Sequence, residues 1–162
     1  MDEPPIQLKP AATDADWQGL RELFREYADQ LGVDLCFQGF ESELQSLPNQ
    51  YAPPLGTALI ATVEDELAGC CALRPIENVD YPNAAEMKRL YVRKAFRGFG
   101  LGRMLTEAIL EAARCAGYAC VLLDTLDDME AARALYTELG FQEIDPYYHN
   151  PLEGAHYLKV NL

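Results

Sequence analysis

The stretch EMKRLYVRKAFRGFGLGRMLTEAILEAARCAG, residues 86–117, decides the fold. Its first seven residues, EMKRLYV, read as a strand. MLTEAILEAARCAG is rich in helix formers, and the helix is predicted from about 101 to 116, with Gly117 as its stop. Between strand and helix stand glycines at 98, 100 and 102, flanked by Arg97 and Arg103. Three glycines in five residues oppose helix formation. At a helix N-terminus they have another use. That end carries unsatisfied amide donors and a partial positive charge, and it suits phosphate. Without a Cβ, backbone amides can come close to an anion.

Working outward, CVLLDT (120–125) is a continuous apolar strand of the kind buried on both faces. The strand–helix–strand unit from 86 to 125 therefore implies parallel neighbours and a right-handed crossover. Upstream, IQLKPA (6–11) is a short strand, and Thr13 or Asp14 caps a helix carrying Trp17, Leu20, Leu23, Phe24, Tyr27 and Leu31 until Gly32. FQGFESELQSL (37–47) reads as a second short helix or an irregular turn, and PNQYAPPLG (48–56) as a loop. ALIATVE (58–64) and LAGCCALRPI (67–76) form a hairpin turning at Glu64-Asp65-Glu66. Downstream come a helix over 129–139 stopped by Gly140, then strands FQEI (141–144) and AHYLKVNL (155–162). The order predicts a mixed sheet with packed helices, in the α/β or α+β class. The length fits one domain over residues 1–162.

Composition narrows the function. The start, MDEPPIQLKP, shows no secretory pattern, and no apolar run is long enough for a membrane helix, so a cytoplasmic protein is expected. The net charge of −13 disfavours nucleic acid and anionic membranes as partners. Yet Lys88, Arg89, Arg93, Lys94, Arg97 and Arg103 gather six of the 13 basic residues in one segment that lacks acids between Glu86 and Glu107. That pattern suits a small anionic ligand; a solvated charged loop is the alternative. Cysteines at 36, 70, 71, 115 and 120 show no CxxC spacing, and two isolated histidines, His149 and His156, do not build a zinc site, so no metal is expected.

Spacing restricts the phosphate ligand. GxxxxGK[ST] cannot be written through residues 97–105, and GxGxxG fails at Arg103 or Leu105. Arg97-x-x-Gly100-x-Gly102 instead resembles the [Arg/Gln]-x-x-Gly-x-[Gly/Ala] motif of the GNAT superfamily of N-acetyltransferases. EMKRLYV is similar to the family's fourth strand, and LYTELGF (135–141) to its Leu-Tyr-x-x-x-Gly-Phe signature. The resemblance spans nearly the whole chain and is strongest over 84–141.

The resemblance implies a mostly antiparallel sheet, splayed between its fourth and fifth strands, with helices on both faces. It implies acetyl-CoA as acyl donor, held by the turn over Arg97, Gly98, Phe99, Gly100, Leu101, Gly102 and Arg103. The pantetheine arm would pair with strand backbone around Leu90, Tyr91 and Val92. The activity implied is acetyl transfer to a primary amine of a small molecule or amino acid-like substrate. Alternatives are protein lysine or N-terminal acetylation, or a non-catalytic acyl-CoA sensor. Homodimers are frequent among such proteins.

Direct transfer requires a deprotonated amine and a proton for the departing thiolate. Glu86 is the candidate base by resemblance, and Tyr136 the candidate acid. On an unbulged strand Glu86 would share a face with Lys88, Leu90 and Val92; the resemblance implies a bulge that would alter this. The backbone amide near Val92 is the implied oxyanion donor. Many members carry asparagine seven residues before this tyrosine; here Met129 stands there, after Asp127 and Asp128, so that pantetheine contact is not carried over. Tyr51, Tyr147, Tyr148 and His149 are candidates to line the acceptor site, and the acidic protein favours a cationic amine.

Overall fold

The computed structural model describes residues 5–31, 39–77, 79–126, 129–148 and 154–162. Seven strands form one sheet in the order β1-β2-β3-β4-β5-β7-β6. They are β1 (Ile6–Pro10), β2 (Thr57–Val63), β3 (Glu66–Ile76), β4 (Ala84–Val92), β5 (Cys120–Leu126), β6 (Gln142–Ile144) and β7 (Ala155–Asn161). The helices are α1 (Asp14–Leu31), α2 (Phe40–Gln45), α3 (Leu47–Gln50), α4 (Leu101–Ala116) and α5 (Glu130–Glu138). All neighbouring strands pair antiparallel except β4 and β5, which are parallel and joined through α4. Among the described residues no helix is long and apolar enough to cross a membrane.

The helices cover both faces. Trp17, Leu20, Leu23 and Phe24 of α1 pack with Phe40, Leu44, Leu47 and Tyr51 against Ile60, Cys70 and Ala72 on one face. Leu101, Leu105, Ile109 and Leu110 of α4, with Tyr136 of α5, pack against Cys71, Leu73, Met87, Val121 and Leu123 on the other. Adjacent Cys70 and Cys71 thus enter opposite cores, as strand alternation requires. Burial pushes both thiols above their ordinary range. Helix α1 starts at a reciprocal cap: the Asp16 amide donates to Thr13 Oγ1 at 3.1 Å, and the Thr13 amide donates to Asp16 Oδ2 at 3.2 Å.

Several boundaries differ from the sequence reading, α2 among them at Phe40–Gln45 and β4 at Ala84–Val92, and two differences have a plain physical reason. Leu47–Gln50 is a short helix with Pro48 in its first turn, where the missing amide costs nothing, so the loop begins later than residue 48. The β2–β3 turn needs only Glu64 and Asp65, at φ 50° and 66°, because Glu66 already pairs with Val63. Gly32, the expected stop of α1, lies outside the described residues, as do Cys36, Asp127, Asp128 and His149.

Two irregularities shape β4. Against β3, Cys70 pairs with Tyr91 but Ala72 pairs with Lys88, so Arg89 and Leu90 together oppose Cys71. Arg89 takes φ 63° at this bulge. Side-chain alternation is inverted beyond it. Glu86 and Lys88 lie on the α1 face, whereas Leu90 and Val92 turn to the α4 face, which resolves the unbulged-strand expectation against a shared face. The second irregularity is a split: β4 and β5 pair only through Ala84–Cys120, Ala85–Val121 and Glu86–Leu122, then part.

Candidate active site

The turn before α4 has the geometry of an anion seat. Gly98 and Gly100 stand at φ 99° and 77°, and a Cβ built on either would meet nothing within 4 Å. Gly100 is the N-cap of α4 and no side chain caps that helix. Met104 donates to the Gly100 carbonyl, so helix geometry leaves the amides of Leu101, Gly102 and Arg103 for a ligand. The Arg97 amide differs from expectation by donating within the protein, to the Lys94 carbonyl at 3.3 Å.

A cavity of about 520 Å³ opens from this turn toward the split in the sheet. Of the ten residues expected to hold the coenzyme, Leu90, Tyr91, Val92, Arg97, Gly98, Gly100, Leu101 and Gly102 line it. Phe99 stands 43% exposed outside that lining. The Arg103 side chain turns to Glu107 and Glu138. The opposite wall is Met129, Ala131, Ala132 and Leu135, so Met129, which stands where the resemblance implied an asparagine, faces this space. The lining is largely apolar with charge at one end, which fits a coenzyme with a diphosphate at the glycine turn.

The basic segment serves several purposes. The Arg97 guanidinium donates to the Val92 carbonyl at 3.0 Å and to Gln30 Oε1 at 2.9 Å, beside the cavity. Arg93 is tied to Glu26, with Nη2 at 2.7 Å from Oε2. Arg89 is buried in a two-pronged pair with Glu43, both contacts at 3.0 Å, and stacks over Phe40. Much of this charge is structural, which charge counting could not reveal.

A second, smaller cavity fills the split. Met87, Lys88, Arg89, Leu90, Leu123, Asp124, Thr125, Met129 and Tyr136 line it, and it adjoins the larger one at Tyr27, Leu31, Leu90, Met129 and Ala132. Tyr136 reaches it from α5 on the α4 face, with its ring 5.4 Å from that of Phe141. Burial holds its hydroxyl well above the usual phenol range, so it is a proton carrier at neutral pH.

Glu86 lies at the end of the paired segment, on the other face. It is 2% exposed. Arg74 contacts its Oε1 at 2.8 and 3.0 Å, and the Tyr147 hydroxyl donates to Oε2 at 2.9 Å. It does not line either of these two cavities. Tyr148 donates to Asp124 Oδ2 at 2.6 Å. Tyr147 and Tyr148, expected near the acceptor, therefore each meet a carboxylate, Glu86 and Asp124. Tyr51 is fully buried against Phe24, and its hydroxyl has no hydrogen-bond partner among the described residues.

Sequence reading passed over Asp124, Arg74 and Glu43. Asp124 carried a signal: it is the one charged residue in the apolar run CVLLDT. Arg74 and Glu43 carried none, because their partners are distant in the chain.

Comparison with known proteins agrees with this geometry. The model of the acetyltransferase (GNAT) family matches residues 17–141. A Schizosaccharomyces pombe protein described as an uncharacterized N-acetyltransferase is 37% identical over 97% of this chain and 95% of its own length. The chain belongs to the GNAT family of acetyltransferases. Its GNAT relatives also include the N-acetylaspartate synthetase of Rattus norvegicus, 30% identical over 84% of this chain and 45% of that protein. A Salmonella typhimurium protein determined with its cofactor acetyl-CoA shares the fold at TM-score 0.69, covering 96% of this chain and 93% of its own at 18% identity. The parallel β4–β5 pair that opens beside a glycine turn is thus the GNAT architecture, and the protein is an N-acetyltransferase by class.

Proposed function

We propose that this enzyme transfers acetyl directly from acetyl-CoA to the primary amine of a small, amino acid-like molecule. The observation that carries the reading is the pair of adjoining cavities that run from the uncapped glycine turn to the split between β4 and β5. The amides of Leu101, Gly102 and Arg103 would take the diphosphate, and the apolar lining would take the pantetheine arm. The thioester then lies at the split, with Tyr136 on one face of the sheet and Glu86 on the other. An acetyl-CoA complex of the Salmonella fold relative supports the donor. The name of the rat relative supports an amino acid as acceptor.

In this reading the amine gives a proton to the Glu86 carboxylate through the Tyr147 hydroxyl that touches it. The amine nitrogen bonds to the acetyl carbon, the carbon–sulfur bond breaks, and Tyr136 protonates the leaving thiolate. Backbone near Val92 donates to the intermediate's oxyanion. Arg74 fixes the base rather than meeting substrate.

A screen of primary amines with acetyl-CoA, read as free thiol, tests this. Glu86→Gln with Tyr136→Phe should abolish turnover and leave coenzyme binding intact. Unchanged turnover would remove both from the mechanism. No thiol above the hydrolysis background with any amine or peptide would favour a non-catalytic acyl-CoA sensor.

A further inference from the structure

Thr125 is a polar residue in an apolar setting. It follows Leu123 by two positions on β5, and alternation puts both on the α4 face, where Leu123 shares a core with Tyr136. Thr125 is only 4% exposed. Its hydroxyl donates to the Met129 thioether sulfur at 3.5 Å and has no other partner among the described residues. The side chain lines the small cavity in the split. Met129 and Ala132 line both that cavity and the larger one at the glycine turn. The hydroxyl is therefore held against a wall that the two cavities share.

A thioether is a weak acceptor, and a buried hydroxyl given only that partner recovers little of the hydration it lost. Buried polar groups ordinarily end on stronger acceptors. Valine has nearly the same shape without the hydroxyl and would suit the empty protein better. Departures of this kind gather where a ligand completes the site. Rotation about the Cβ–Oγ1 bond redirects the proton without moving the side chain, so a better acceptor at the shared wall can take it with the packing unchanged.

The transferase reading, on which this inference rests, brings such an acceptor. The pantetheine arm carries amides that lose water on entering, and each carbonyl then needs a donor. On the β5–α5 side, Met129 and Ala132 offer no side-chain donor at the junction. We infer that Thr125 is a coenzyme-binding residue whose hydroxyl leaves the Met129 sulfur and donates to the carbonyl of the pantetheine amide nearest the thioester. That amide is separated from the sulfur by a short ethylene link, so it stands at the junction when the thioester occupies the split. Tyr136 is left to the sulfur itself.

The test is a cycle between residue and ligand, read as calorimetric affinity. One ligand is coenzyme A; the other is an analogue in which ethylene replaces the amide nearest the sulfur. Thr125→Val should weaken coenzyme A binding by about five- to tenfold and leave the analogue's affinity unchanged. Thr125→Ser keeps the hydroxyl and should bind coenzyme A within about twofold of the wild type. The nucleotide portion alone, 3′-phosphoadenosine 5′-diphosphate, should bind all three proteins alike, which also shows that the variants fold. Equal affinity of wild type and Thr125→Val for coenzyme A overturns the inference. So does the same loss on the analogue or on the nucleotide portion, and so does a serine variant as weak as the valine one. Each of these results leaves the transferase reading standing; a wild type that binds no coenzyme A removes that reading itself.

Discussion

Gly100 holds φ 77° at the start of α4, with open space where a Cβ would stand. Alanine there would pay about 1–2 kcal/mol for the left-handed conformation and push a methyl toward the diphosphate. Gly100→Ala should weaken coenzyme binding by about tenfold or more, measured by calorimetric titration with acetyl-CoA. Unaltered affinity would mean that the ligand sits elsewhere. At this scale the sequence was most informative where chemistry is carried by main chain. The positions of Arg97, Gly100 and Gly102 sufficed to place the turn before α4, and LYTELGF singles out Tyr136, the proposed acid. Side-chain pairs were hidden. Arg74 meets Glu86 across a register of twelve residues, and Glu43 meets Arg89 across 46, and no local pattern reports such partners.

The bulge in β4 carries one of those hidden pairs. Arg89 adopts φ 63° and sends its guanidinium into a pocket formed by Glu43 of α2, Phe40 and Tyr27. The pair side chains are 3% and 4% exposed. Removing one partner leaves a buried charge uncompensated, at about 3–5 kcal/mol. Arg89→Met should therefore lower stability by that amount in urea unfolding, and adding Glu43→Gln should recover part of it. A loss below about 1 kcal/mol would mean that solvent reaches the carboxylate. Helix α1 offers a pH-dependent counterpart. Hydrogen bonds from the Ala12 and Thr13 amides, with Lys9 nearby, hold Asp16 at about 2 against an ordinary 3.8. A depressed carboxyl stabilises the fold above its unfolded value and loses that contribution as pH falls through the folded one. Asp16→Ala should cost about 1 kcal/mol at neutral pH, with the gap to wild type narrowing as pH drops from about 4 toward about 2. A pH-independent gap would assign the effect to packing instead. Helix and strand boundaries were legible because glycines and periodicity mark them. The bulge was not legible in the pattern, since EMKRLYV alternates no differently with or without it; the resemblance alone implied it, and the structure has it at Arg89 and Leu90.

Across the whole molecule, the sheet order joins two kinds of information. Hairpins and the β4–α4–β5 crossover follow from chain neighbours, so those pairings could be read from the sequence. The insertion of β7 between β5 and β6 could not, because β6 is a three-residue, largely exposed strand with little pattern of its own. The split matters more for function. It puts Glu86, Lys88 and Asp124 on one face of the sheet and Tyr136 on the other, with the glycine turn at its mouth. In the proposed mechanism, Glu86 as proton acceptor and Tyr136 as proton donor work from opposite sides of a thioester lying between the strands. A crystal of the protein soaked with acetyl-CoA examines that arrangement directly. The diphosphate oxygens should lie about 3 Å from the amides of Leu101, Gly102 and Arg103, with the thioester between β4 and β5 beside Tyr136. Coenzyme bound elsewhere, with the glycine turn empty and the strands closed together, would contradict the account.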